Sequence, residues 1–251
     1  MKKILITLLL FSLCCGCTSS LKETSSQQTQ ACHKIDYYDY SQVVPVQEKI
    51  EDSYFEDTLF IGDSRMGSLA LFSDLPSLGA EIDYVESMSL WTMENSKVDT
   101  SLGTKSIYDI LMNTTKKNVY ILVGINEIRR DDFDDWASYL EEDIVQPFLE
   151  NHTDTNIYLM LNYIPFGISD ISEEDLKEHI QKQNEKMIDI AQRNRLYLLD
   201  VSSDMVDENG TIKKELVWDG LHFNLDGAKA YANTIQTHVV RKDAYVSEIC
   251  E

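Results

Sequence analysis

Apolar positions along the chain fall into two alternating kinds of run. Short clusters at Thr58–Ile61, Ile82–Val85, Asn118–Val123, Asn156–Leu161 and Leu196–Leu199 predict buried strands. Between them, apolar residues recur at every third or fourth position. Over 131–150 these are Phe133, Trp136, Leu140, Ile144 and Phe148, and over 173–194 they are Leu176, Ile180, Met187 and Ile190. Each set lines one face of a helix. A small helix is expected over 66–75, and a last one starts near Asn224, whose short polar side chain suits an N-cap. Strands separated by helical crossovers imply a parallel sheet covered on both faces, an α/β protein with three α/β/α layers. In an open sheet of this kind the ligand site lies beyond the carboxyl ends of the strands. No internal repeat or second domain boundary interrupts this body.

The N-terminal region has a different pattern. Lys2 and Lys3 precede an apolar run from Ile4 to Leu13, which is too short to span a bilayer and is the length of a signal peptide's hydrophobic stretch. Cys14-Cys15-Gly16-Cys17 follows, and then a polar tail. Small residues before a cysteine resemble a bacterial lipoprotein signal, with Cys17 as the lipidated residue; the alternative is an ordinary secretory signal cleaved nearby. The expected organisation is a signal over 1–16, a lipid-anchored tether over 17–50 and a folded domain over 51–251. The Ser-, Thr- and Gln-rich first part of the tether cannot bury enough apolar surface to order itself. Tyr37, Tyr38, Tyr40, Val43 and Val44 suit a later part lying against the domain. The expected location is therefore outside the cytoplasm, with the membrane engaged through the anchor alone. Cys32 and Cys250 are the cysteines left once the signal is removed. In an oxidising compartment they form a possible disulfide, the alternative being two free thiols.

Composition narrows the function. Of 251 residues, 43 are acidic and 22 basic, a formal charge of −21. Such a surface repels phosphate backbones and excludes nucleic acid as a partner.

Candidate chemistry sits at strand ends and in one late loop. The first strand runs into Gly62-Asp63-Ser64-Arg65. A serine at a strand-to-helix turn presents its hydroxyl where helix N–H groups can stabilise an anion. Taken alone, Gly-Asp-Ser is equally a helix cap. The third strand runs into Gly124-Ile125-Asn126-Glu127, where an amide can donate to an oxyanion or simply make a turn. Before the last helix stands Trp218-Asp219-Gly220-Leu221-His222. A serine nucleophile needs a base and the base an orienting carboxylate, and Asp219 and His222 supply both from one loop. His33, His152, His179 and His238 read as ordinary tether or helix residues.

In their order and spacing these blocks resemble the SGNH (GDSL) hydrolase family, over roughly residues 55–241. The resemblance implies a flavodoxin-like fold and ester hydrolysis without metal or cofactor. It implies Ser64 as nucleophile, His222 as base and Asp219 as its orienting acid. It further implies an oxyanion hole built from the Ser64 N–H, the Asn126 amide and a backbone N–H after the second strand. The family places glycine at that last position, yet no glycine lies between Gly79 and Gly103, so Ser87 is the stand-in. Glu127 replaces the family's aspartate and is expected to support its loop. Trp91, Met93, Tyr163 and Phe166 are candidates for a pocket lining or for core packing, and Arg65 for a substrate contact or an ion pair. The acidic cluster Asp131, Asp132, Asp134 and Asp135 surrounds a helix start, where negative charge is favoured, and lacks calcium-loop spacing. Three functions fit: an envelope esterase removing short acyl (acetyl) groups from glycans or small esters, an O-acyltransferase with the same triad, and a non-catalytic binding lipoprotein.

Overall fold

A computed structural model describes residues 32–101, 103–200 and 204–250, the side chain of Cys250 excepted. Cys17 and the signal lie outside these residues. Residues Asp36–Val246 form one compact unit, and the described residues on either side of it, 32–35 and 247–250, belong to a smaller one. In chain order the strands are β1 (Cys32–Asp36), β2 (Thr58–Gly62), β3 (Glu81–Tyr84), β4 (Lys97–Thr100), β5 (Gly103–Ser106), β6 (Asn118–Leu122), β7 (Asn156–Met160), β8 (Tyr197–Leu199) and β9 (Val246–Cys250). The helices are α1 (Ser64–Phe72), α2 (Ile107–Met112), α3 (Phe133–Ser138), α4 (Gln146–Asn151), α5 (Glu173–Asn194), α6 (Leu225–Thr237) and the short α7 (Lys242–Tyr245).

The central sheet has the order β3-β2-β6-β7-β8, and all its pairings are parallel. Strands β2, β6, β7 and β8 are apolar at successive positions because both faces are covered, whereas the edge strand β3 alternates Glu81 and Asp83 with Ile82 and Tyr84. Leu59, Ile61, Val119, Ile121, Leu159 and Leu198 meet Trp136, Leu140, Ile144, Met187 and Ile190 from α3, the segment after it, and α5. Phe60, Tyr120, Leu122, Tyr158 and Leu199 point the other way, onto Met66 and Leu69 of α1 and Ala228, Tyr231 and Ile235 of α6. The architecture is the expected three-layer α/β/α sandwich.

Several local features differ from the sequence expectation. The 131–150 helix is interrupted by a π-helical stretch, Tyr139–Val145, before α4. Such a stretch widens the helix by part of a turn, and here Leu140, Ile144 and Phe148 all remain buried. The antiparallel hairpin β4–β5 was not anticipated, since Lys97–Thr100 and Gly103–Ser106 carry almost no apolar residues. The later part of the tether does lie against the body, as its tyrosines and valines suggested, and the compact unit begins at Asp36, ahead of the expected boundary at 51. The Val44 N–H bonds the Leu198 carbonyl at 2.9 Å, and the N–H groups of Gln47 and Ile50 bond Thr237 and Gln236 at 2.7 and 2.9 Å. The edges of Tyr38 and the face of Tyr40 lie on Tyr197. In the smaller unit, β1 pairs with β9, and Cys32 is disulfide-bonded.

Candidate active site

The turn between β2 and α1 fixes Ser64. Gly62 ends β2 so close to β6 that an added Cβ would lie 2.6 Å from the Leu122 carbonyl oxygen. Close approach of two strands, rather than a tight turn, is thus what calls for glycine here. Asp63 caps α1, accepting the Arg65 N–H at 3.0 Å. Its carboxylate also takes the Arg65 guanidinium at 3.0 and 2.8 Å, and both side chains are fully buried. Arg65 further donates to Asn162 Oδ1 at 2.6 Å and lies over the Tyr163 ring. Arg65 therefore pairs with its acidic neighbour and is not offered to substrate. Breaking such a buried pair typically costs about 3–5 kcal/mol, so Asp63 and Arg65 hold the serine turn rigid. Ser64 is the first residue of α1, and its N–H belongs to the set that has no partner within the helix.

The opposite wall is the loop before α6. Val217 bridges Phe223, and the Trp218 N–H bonds the His222 carbonyl at 2.8 Å, closing the loop on itself. Phe223 is buried, and the Tyr163 hydroxyl donates to the Leu221 carbonyl. Gly220 has a φ of +89°, and a Cβ there would meet the Phe166 carbonyl oxygen at 2.0 Å. Asn224 caps α6 through the N–H groups of Asp226 and Gly227, both at 3.0 Å.

Ser64, His222 and Asp219 come together in this frame. Ser64 Oγ is 2.7 Å from His222 Nε2, and His222 Nδ1 is 2.7 Å from Asp219 Oδ2. Asp219 Oδ1 also accepts the N–H groups of His222 and Leu221 at 2.9 and 3.1 Å. Partial burial pushes the Asp219 carboxyl up, but the His222 N–H, the His222 ring and the Leu221 N–H together hold it below the usual carboxylate range. An ionised Asp219 places the ring proton on Nδ1, leaving Nε2 to accept from Ser64.

The third wall is the loop after β3. The Met88 N–H bonds the Val85 carbonyl at 3.2 Å, making a turn with Ser87 in its third position. Ser87 has a φ of +58°, the left-handed conformation in which such turns usually place glycine. For a non-glycine residue this conformation costs about 1–2 kcal/mol. Ser87 thus adopts a backbone geometry that the family's glycine would take without strain. Asn126 Nδ2 donates to the Met88 carbonyl at 2.8 Å, which occupies one of its two amide hydrogens. Glu127 Oε1 accepts the Leu90 N–H. Burial pushes the Glu127 carboxyl up to about 7, against the pull of that N–H and with nearby Asp63 adding to the rise.

Ser64, Ser87 and His222 line one open cleft of about 430 Å³, together with Leu71, Phe72, Tyr84, Glu86 and Trp218. Trp218 and Leu71 are 68% and 69% exposed, and with Phe72, whose ring lies beside Trp218, they give the cleft an apolar edge. The pocket candidates of the sequence are elsewhere. Met93 and Tyr163 are buried in the core, Trp91 packs on Tyr139 and Phe166 lies behind Gly220. Sequence reading missed Leu71 and Phe72 because they continue an apolar helix. Trp218, an aromatic beside Asp219 and outside any apolar period, was the one legible signal. Of the acidic cluster, Asp132 pairs with Arg130 and Asp134 with Lys186, while Asp131 faces His179.

No protein-family model matches the sequence, and no curated protein matches it. Solved structures do. A Bacteroides fragilis protein assigned as an acylhydrolase is 19% identical, with a TM-score of 0.54 over 77% of this chain and 88% of its own. A GDSL-like lipase from Bacteroides thetaiotaomicron is 14% identical, with a TM-score of 0.52 over 80% and 90%. A Parabacteroides merdae protein assigned as a GDSL-like lipase is 13% identical, with a TM-score of 0.56 over 77% and 96%. The fold is therefore the three-layer α/β/α fold of the SGNH (GDSL) hydrolases.

Proposed function

We propose that the protein is a serine esterase that removes short acyl groups from uncharged carbohydrate or other small esters. The observation that carries this reading is the hydrogen-bonded chain Ser64–His222–Asp219, with both links at 2.7 Å. Ser64 attacks the ester carbonyl while His222 takes its proton, and Asp219 stabilises the imidazolium. The oxyanion is received by the N–H groups of Ser64 and Ser87 and by the second amide hydrogen of Asn126. His222 then returns its proton to the leaving alcohol. Water, activated by the same ring, releases the acyl group.

Three features refine the substrate. The cleft is open and only about 430 Å³ in volume, which suits a short acyl group. The exposed Trp218 offers an aromatic face at its rim, and exposed apolar surface of this kind marks ligand grooves. A formal charge of −21 disfavours anionic substrates. Hydrolysis is favoured over acyl transfer because the Asp219 side chain is 57% exposed, and a transferase site must keep water from the acyl-enzyme. The intact triad speaks against a purely binding role.

The test compares wild type with Ser64→Ala on p-nitrophenyl esters of increasing chain length and on acetylated glycans. Wild type should prefer acetate, and Ser64→Ala should lose at least 10³ in kcat. Equal rates in the two proteins would refute the reading.

The reading extends to the envelope: Cys17 carries a lipid anchor, and Cys32 pairs with Cys250. Support comes from the signal-like N-terminus and, for the disulfide, from the bonded state of Cys32 and the pairing of its strand β1 with β9, which ends at Cys250. Membrane fractionation should find wild type in the membrane and Cys17→Ser in the soluble fraction; identical partitioning would sink the anchor. Non-reducing peptide mapping should recover Cys32 linked to Cys250, and another partner would sink that pairing.

A further inference from the structure

The turn carrying Ser87 is strained at that residue and gripped from outside just beyond it. Ser87 sits at φ +58°, where an L side chain is disfavoured. The grip comes from the end of β6. Asn126 holds the Met88 carbonyl at 2.8 Å and Glu127 holds the Leu90 N–H. Met88 and Leu90 are both buried, so the chain is fixed immediately after the strained residue. Glu127 is only 4% exposed, and a buried carboxylate needs such a bond to offset its own desolvation.

We propose that Glu127 is a positioning residue for the oxyanion hole: by holding the Leu90 N–H, it keeps Ser87 in the left-handed conformation that sets the Ser87 N–H at the cleft shared with Ser64 and His222. Its consequence for rate rests on the serine-esterase reading; its consequence for the loop does not. Released from the grip, Ser87 relaxes to ordinary backbone angles and the donor is misplaced. A glycine at 87 would keep the conformation without help, since it populates positive φ about as readily as negative. Glu127 and the absence of glycine at 87 are thus two parts of one arrangement.

The test is a double-mutant cycle in the full-length protein. Its variants are Glu127→Leu, Ser87→Gly and the combination, with Glu127→Gln as the conservative control. Two quantities are read: hydrogen exchange of the 86–91 segment by mass spectrometry, and kcat and KM for p-nitrophenyl acetate. Glu127→Leu should raise exchange in that segment at least roughly tenfold and lower kcat about tenfold, with KM within about twofold. Glu127→Gln, which keeps an oxygen for Leu90, should restore most of the rate. In the Ser87→Gly background, Glu127→Leu should cost about twofold or less. Equal losses in both backgrounds, or unchanged exchange in Glu127→Leu, overturn the proposal. If Glu127→Leu fails to fold, Ser87→Val on the exposed turn takes its place. A β-branched residue at positive φ should cost more than roughly tenfold in kcat, and a wild-type rate would overturn the proposal. Absence of any ester hydrolysis by wild type would count against the esterase reading instead, and loop exchange would then decide the role of Glu127.

Discussion

Asp219 restrains His222 from two directions, through its backbone N–H and through ring atom Nδ1. That double grip sets both the position of the ring and its tautomer, so the main-chain bond would survive a change that reverses the side-chain bond. Asp219→Asn is such a change. An amide that donates to Nδ1 moves the ring proton to Nε2, where it can no longer accept from Ser64. The expected loss in kcat is roughly 10³–10⁴, with KM and melting temperature nearly unchanged. A loss below tenfold in steady-state assays would show that Asp219 does not set the tautomer. At this scale much was legible beforehand. Ser64 at a strand end and Asp219 and His222 in one late loop were singled out by their blocks and by the resemblance those blocks carry, and the structure brings the three side chains into one hydrogen-bonded chain. The conformation of Ser87 did not follow, since φ depends on contacts with Asn126 and Glu127 distant in sequence. The destination of Arg65 was equally hidden, because pairing with Asp63 and reaching substrate call for the same residue type.

The strand ends act as mounting points for three loops, and β6 supports two of them. Gly124, Asn126 and Glu127 follow it directly, and Glu127 links it to the loop after β3. The buried Glu127 carboxyl titrates near pH 7 in the fold, against 4.5 when unperturbed. Between these values the folded protein holds a proton that the unfolded chain has released. Stability therefore falls as pH rises from about 4.5 to 7 and levels off above. The contribution of this group is on the order of 3 kcal/mol across the window. Glu127→Gln should remove that slope, which chemical denaturation of both proteins at pH 4.5, 6 and 8 would measure. Asp83, pushed up to about 6 by burial and by Glu81, adds a slope of the same sign, but it is common to both proteins. Parallel curves would show that Glu127 is not titrating in this range. Strands and long helices were readable because buried faces impose a period on the sequence. The hairpin β4–β5 was not, because its polar residues are held by backbone pairing. The packing of the later tether was legible in part, since Tyr38, Tyr40 and Val44 suited a face laid against the domain, but their partner Tyr197 was not, because it comes close only once the sheet exists.

For the whole molecule, sheet order and active-site position are one fact. Parallel strands all deliver their carboxyl ends to the same edge, so Ser64, Ser87 and His222 converge on one cleft without any long insertion, while Asn126 holds the loop after β3 through the Met88 carbonyl. On the proposed esterase reading, the acidic surface would select among esters by charge and the open cleft by size. An ordinary substrate assay depends on guessing the right ester, whereas an activated serine can be found without one. The most direct measurement is therefore covalent: a fluorophosphonate probe, followed by peptide mapping of the intact protein. One probe should attach per chain, at Ser64, and labelling should vanish in Ser64→Ala and fall by orders of magnitude in His222→Ala. No adduct under these conditions, or equal labelling when His222 is removed, would contradict the claim that this fold carries a working serine nucleophile.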